Sequence, residues 1–289
     1  MELSKIEEAL RAIRLPQPKR SITELNLVRD IELSAEEVNI KLALAQLPPS
    51  VSEWLQTSVH SAVEALDGVN NISIEAVDTR PQEMNQFKHV IAIMSGKGGV
   101  GKSLVTALTA VSLERNGYDV GILDADITGP SIPKMFGMKG RPMGTERGIL
   151  PIDTASGIEM MSLNLLLPNE DDAVIWRGPL LAKAITQFWE DVLWGKLDYL
   201  LIDMPPGTAD VPLTVLQSFP LSGVIIVSTP QDLANMVVRK AVNMTRKMAI
   251  PILGVVENMS YLIIPETGKK IEIFGKSRGD EMAEIAESP

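Results

Sequence analysis

The sequence predicts an α/β fold: a doubly wound, mostly parallel sheet, preceded by a small α+β unit. Three observations carry this reading. Five apolar runs, HVIAIMS (89–95), DVGILDAD (119–126), DYLLIDMP (198–205), GVIIVSTP (223–230) and ILGVVEN (252–258), are continuous rather than alternating, as befits strands covered on both faces. The stretches near 102–116, 177–194, 210–219 and 232–247 are long enough for crossover helices. Ahead of residue 88 the pattern changes to shorter segments in the order αββαβ.

In that first unit, Leu3, Ile6, Leu10 and Ile13 lie at helical spacing until Pro16 and Pro18 break it. Strand-like runs follow at 25–33 and 37–45, the second with alternating Val38, Ile40 and Leu42. A helix near 51–66 places Trp54, Leu55, Val59, Val63 and Leu66 on one face, and NISIEAV supplies a third strand. The stretch TRPQEMNQF reads as a connector. The expected division is a small domain at 1–79, a linker at 80–88 and a larger domain at 89–289, which ends in a helix near 276–287.

Composition narrows the function. There are 27 Lys+Arg against 37 Asp+Glu, a net charge of −10, opposite in sign to a general duplex binder. Aromatics are 4% of the chain, too few for stacking platforms on single strands. No nucleic-acid partner is expected. No apolar run reaches the ~18 residues of a membrane span, and the start MELSKIEEALRAIRLP lacks the basic and apolar regions of a secretory signal. The expected location is cytoplasmic. Cysteine is absent, which excludes disulfides, thiolate metal sites and cysteine nucleophiles. His60 and His89 stand apart in the sequence and read as structural.

The chemistry concentrates after the first apolar run. Gly96-Lys97-Gly98-Gly99-Val100-Gly101-Lys102-Ser103 matches G-x-x-x-x-G-K-[ST] between a strand and a helix. Glycines let successive backbone N–H groups face phosphate oxygens, and the helix N-terminus adds its dipole. Lys102 would neutralise β/γ-phosphate charge and Ser103 would ligate Mg²⁺. Lys97 has no packing role inside such a loop and would project outward or toward a facing subunit. The next run ends in Asp124-Ala125-Asp126-Ile127-Thr128-Gly129-Pro130-Ser131 and the third in Asp203-Met204-Pro205-Pro206-Gly207-Thr208. Carboxylates at the ends of parallel strands lie where ligands bind, a reading the adjacent phosphate loop favours over Asp124 or Asp126 merely forming or capping a turn. Asp203 would hold Mg²⁺ directly or through water.

KGGVGKS resembles the deviant phosphate loop of the family that includes MinD, ParA, the nitrogenase iron protein and the Mrp/ApbC proteins. DADITGPS, Trp176-Arg177-Gly178-Pro179, WGKLDYLLIDMPPGT, STPQDLA and VVENMSY make the likeness closest to the Mrp/ApbC iron-sulfur carrier ATPases. Pro18-Lys19-Arg20-Ser21-Ile22-Thr23-Glu24-Leu25-Asn26-Leu27-Val28 resembles a stretch of iron-sulfur assembly factors. The resemblance implies a P-loop ATPase using ATP/ADP and Mg²⁺, and a homodimer that sandwiches ATP. Lys97 would reach the partner subunit's phosphates, Asp126 would position or activate the attacking water, and Asp124 would lie near the magnesium shell. Asn258 and the loop holding Pro230 and Gln231 would surround the adenine, although without the family Asn258 is only a polar strand terminus. Iron-sulfur apo-proteins or assembly factors are the partners implied. The stretch 134–150, locally basic and glycine-rich, reads as a loop near a dimer face.

Two departures qualify the resemblance. The family's Cys-x-x-Cys pair, which holds the cluster after ENMSY, aligns with Ile264 and Thr267, and its N-terminal cysteine falls near Leu47-Pro48-Pro49-Ser50. This chain therefore offers no iron-sulfur ligands of its own. Relatives are also expected to continue past Pro289 with a further strand and helix. Two other classes remain open: an ATP-gated interaction switch without metal cargo, and a ParA/MinD-like positioning ATPase. The acidic helix after Arg278 disfavours the second of these.

Overall fold

The computed structural model describes residues 2–34, 37–69, 71–126, 131–138, 140–166, 178–208, 210–231 and 234–289, with backbone alone at 163, 178, 179, 234, 235 and 237. Ile127, Thr128, Gly129, Pro130, Trp176, Arg177 and Asp232 lie outside the described residues.

Two helices and a three-stranded sheet form first: α1 (Leu3–Ala12), β1 (Val28–Leu33), β2 (Glu37–Ala43), α2 (Pro49–Glu64) and β3 (Asn71–Val77). The helical spacing of α1 buries Ile6 and Leu10, and the alternation in β2 buries Val38, Ile40 and Leu42. Strand β2 is central, antiparallel to β1 and parallel to β3. The 80–88 segment carries the short helix α3 (Pro81–Met84) and the start of β4 (Gln86–Met94).

From β4 the chain alternates: α4 (Lys102–Arg115), β5 (Val120–Asp124), α5 (Ile132–Met135), then four short strands β6 (Gly144–Thr145), β7 (Gly148–Ile149), β8 (Ile152–Asp153) and β9 (Glu159–Ser162). After a 3₁₀ turn at Leu163–Leu166 come α6 (Gly178–Asp191), β10 (Lys196–Asp203), α7 (Asp210–Ser218), β11 (Gly223–Ser228), α8 (Ala234–Lys247) and β12 (Ile252–Glu257). A small hairpin, β13 (Leu262–Ile263) and β14 (Lys270–Ile271), precedes α9 (Gly279–Ala286). The large sheet has the order β12-β11-β4-β10-β5-β9-β8. Its pairs are parallel except β8 with β9.

Residue alternation explains why these strands read as continuous apolar runs. Val90, Ala92 and Met94 of β4 face a core shared with α6, α7, α8 and α9, whereas Ile91 and Ile93 face a second core shared with α4 and α5. Both faces are dry, so neither phase of the period can be polar.

The three-stranded unit is interlocked with the large sheet. Leu150 and Leu193 join its core. Gly195 adopts φ 64, and a Cβ there would fall 2.5 Å from the Glu24 carbonyl oxygen and the Leu25 Cα, so glycine meets both the left-handed conformation and the close approach. Arg20 reaches across: Nη1 donates to Glu159 Oε1 at 2.8 Å and to the Trp194 carbonyl at 3.2 Å, and Nη2 to the Lys196 carbonyl at 2.5 Å. The Glu159 side chain is 1% exposed. The later part of the 134–150 stretch packs on this unit through Met143 and Leu150. Thr145 donates to the Ala45 carbonyl and Arg147 pairs with Asp78, so this part of the expected loop is a docked β6–β7 hairpin.

Burial pushes the Glu159 carboxyl up to about 7, against the opposing pull of Arg20. A carboxyl whose folded pKa lies above its unfolded value loses stability as pH rises between the two. Arg20→Ala is therefore expected to destabilise the fold by about 3 kcal/mol at pH 8, because it leaves Glu159 charged and unpaired. The loss should shrink as pH falls to 7 and below, where the paired Glu159 takes up a proton as well. Urea midpoints at the two pH values check this; an equal loss at both would show that the charge pair is not the cause.

Candidate nucleotide-binding site

The site forms where β4, β5 and β10 end side by side. Strand β4 delivers the loop 96–103 and α4 begins at Lys102. Gly99 and Gly101 have φ of 76 and 84, the left-handed region open to glycine. A Cβ at Gly101 would also lie 2.3 Å from Asn258 Nδ2. The second turn supports the first: Ser95 Oγ donates to the Lys97 carbonyl, and Gly207 N to the Ser95 carbonyl. Over the loop lies a cavity of about 220 Å³ lined by Gly98, Gly99, Lys102, Ser103, Asp126 and Pro206.

Asp203, fully buried at the end of β10, is the hub. Its Oδ1 accepts from Lys102 Nζ at 2.8 Å and from Thr106 Oγ1 at 2.7 Å, while Oδ2 accepts from Ser103 Oγ at 2.6 Å. Asp124 stands beside it, since Asp203 and Asp124 are register partners across β10 and β5. Burial, and then the neighbouring Asp203 charge, push the Asp124 carboxyl up to about 8, with Lys102 pulling the other way. Asp124 Oδ1 accepts from Asp126 N at 3.1 Å, and Oδ2 from Ser162 Oγ at 3.2 Å. Among the described residues no group of three or more His, Asp or Glu side chains converges to cage a metal. Ser103, Asp203 and Asp124 do present hard oxygen donors, which suit a Mg²⁺ ion that keeps water and phosphate ligands.

The remaining expected residues fall around this centre. Lys97 Nζ does not enter its own loop; it meets Gln231 Oε1, next to the buried Pro230. Asn258 Nδ2 donates to the Val100 carbonyl at 2.9 Å, which ties the end of β12 to the phosphate loop. His60 pairs with Glu64 on α2 and His89 stacks on Tyr199. Ile264 and Thr267 share one turn of the β13–β14 hairpin, where the Ile264 carbonyl accepts from Thr267 N and Gly268 N. Neither side chain carries the thiolate or imidazole usual for an iron-sulfur cluster.

Thr106 and Ser162 were missing from the sequence reading. Thr106 could have been found, for it lies four residues after Lys102 on the same helix face. Ser162 could not, because its role depends on β9 pairing with β5.

Comparison with known proteins agrees with this geometry. Residues 86–289 match the ParA-class family described as NUBPL iron-transfer P-loop NTPase, and residues 3–75 match the iron-sulfur cluster assembly protein family. An iron-sulfur cluster carrier protein of Synechocystis is 38% identical over 293 residues, covering 97% of this chain and 83% of its own. One from Clostridium perfringens is 49% identical over 211 residues, covering 70% and 74%. A nucleotide-binding protein from Archaeoglobus fulgidus, solved in complex with ADP, superimposes with a TM-score of 0.62 at 46% identity over 70% of this chain and 79% of that one. With a phosphate loop between β4 and α4 and a family match that spans most of the chain, this protein belongs to the iron-sulfur cluster carrier family of P-loop NTPases.

Proposed function

We propose that this protein is a cytoplasmic, homodimeric, Mg²⁺-dependent ATPase that serves iron-sulfur cluster assembly without holding a cluster on cysteine. The observation that carries the proposal is the convergence of Lys102, Ser103 and Asp203 beside left-handed glycines at a helix N-terminus. The working division is a small domain at 1–79, a linker at 80–88 and the nucleotide domain at 89–289.

In this reading the backbone N–H groups of Gly96, Gly98, Gly99, Val100 and Gly101 face the phosphates and Lys102 balances their charge. Ser103, Asp203 and Asp124 hold the Mg²⁺ side of the site; the ion, when bound, neutralises phosphate charge. Asp126 orients the attacking water, and Lys97 reaches the phosphates bound by the partner subunit. Asn258, Pro230 and Gln231 border the adenine, with Asn258 offering its remaining amide donor and its carbonyl. Hydrolysis then needs positioning and charge neutralisation rather than a covalent intermediate. The zero cysteine count favours one second reading, an ATP-gated interaction switch with no metal cargo. Clients would be apo-proteins or assembly factors in the first case and any nucleotide-selected partner in the other.

Asp126→Ala is expected to lower ATP turnover by roughly 10²-fold or more while ADP still binds; unchanged turnover removes Asp126 from the mechanism. Lys97→Ala should abolish ATP-dependent dimerisation in light scattering and leave the monomer's ADP affinity intact. Anaerobic reconstitution with iron and sulfide should yield no stable broad visible absorption, because no thiolate is available. Stable uptake would sink the cluster-free reading.

A further inference from the structure

Asp203 takes three side-chain donors, and the roles proposed above reassign two of them. Lys102 would turn to phosphate and Ser103 to Mg²⁺, so the pair holding the carboxylate here cannot be the pair holding it in the loaded site. Thr106 is different. It is fully buried in the second turn of α4, on the face that packs against β10. At about 100° per residue, Lys102, Ser103 and Thr106 share one sector of that helix. Its hydroxyl has one proton to give. The Lys102 carbonyl lies 3.2 Å away, the usual partner of a helical threonine four residues on, and Asp203 Oδ1 lies at 2.7 Å. The charged acceptor at the shorter distance makes the stronger bond.

The terminal torsion of an aspartate is broad and has no steep well of its own. Without a fixed donor on Oδ1, the Asp203 carboxylate is free to swing, and its neighbour across the sheet is Asp124. With Thr106 on Oδ1, Oδ2 stays directed at Ser103. We infer that Thr106, outside the phosphate-loop motif, is a positioning residue that keeps the Asp203 carboxylate aimed at the Mg²⁺ position while Lys102 and Ser103 change partners. This rests on the Mg²⁺-nucleotide reading above.

The test measures ADP affinity of the full chain by calorimetry, with saturating MgCl₂ and with EDTA. In the wild type Mg²⁺ should strengthen ADP binding. Thr106→Val, and Thr106→Ala without the added methyl, should cut that gain by roughly tenfold, the size of one hydrogen bond to a charged group. Affinity in EDTA should stay within about twofold of wild type, and Thr106→Ser should restore the gain. A merely structural threonine would lower both affinities alike, and that result overturns the inference, as does an undiminished Mg²⁺ gain in the valine and alanine variants. If wild type shows no Mg²⁺ gain at all, the metal reading of Ser103 and Asp203 falls together with it.

Discussion

A carboxylate removed from water at the end of the central strand organises this molecule. Asp203 has no exposed surface, and an ionised carboxylate in such a place persists only with donors on its oxygens. Lys102, Ser103 and Thr106 supply them from a single helix. Those three donors fix α4 against the end of β10 and so hold the glycine loop that leads into the helix. Asp124, one strand away, shows the alternative outcome. Burial and the neighbouring Asp203 charge push it toward its protonated form, against a weaker pull from Lys102.

A second buried charge performs a comparable role at the other side of the sheet. Glu159 sits on β9, a strand too short and too polar to announce itself, and its countercharge Arg20 comes from the α+β unit. Burial lowers the Arg20 pKa, but Glu159, Asp119 and Glu24 more than offset this and keep it charged. Three residues further along the same strand, Ser162 bonds to Asp124. The small unit thus anchors a strand that borders the nucleotide site, and the two units share side chains and backbone hydrogen bonds rather than meeting across a loose tether.

The family resemblance and the absent cysteines also meet in a defined place. A turn brings residues 264 and 267 together, with an aliphatic and a hydroxyl side chain where the resemblance implied a pair of cysteines. Around it Leu262, Ile263, Ile271, Ile273 and Phe274 are solvent-exposed, giving the hairpin an apolar outer surface where soft thiolate chemistry would need sulfur. Its base is tied down at both ends: Glu257 accepts from Ser260 Oγ, Ser277 Oγ and Arg278 N, and the adjacent Asn258 holds the phosphate loop.

What was legible in the amino-acid order is what depends on neighbours in the chain. The five main strands, their crossover helices, the glycine loop with Lys102 and Ser103, and the strand-end aspartates are all local patterns. Two-sided burial, helical period and phosphate binding each act over a few consecutive residues. The absence of sulfur ligands needed only a count. The tertiary structure alone decided the rest: that Ser162 meets Asp124, that Lys97 turns to Gln231, and that the β6–β7 hairpin docks on the small unit. It also decided that Arg20 neutralises Glu159 across 139 positions. A buried charge must find its partner wherever folding brings one within hydrogen-bond reach, and separation along the chain carries no record of that distance.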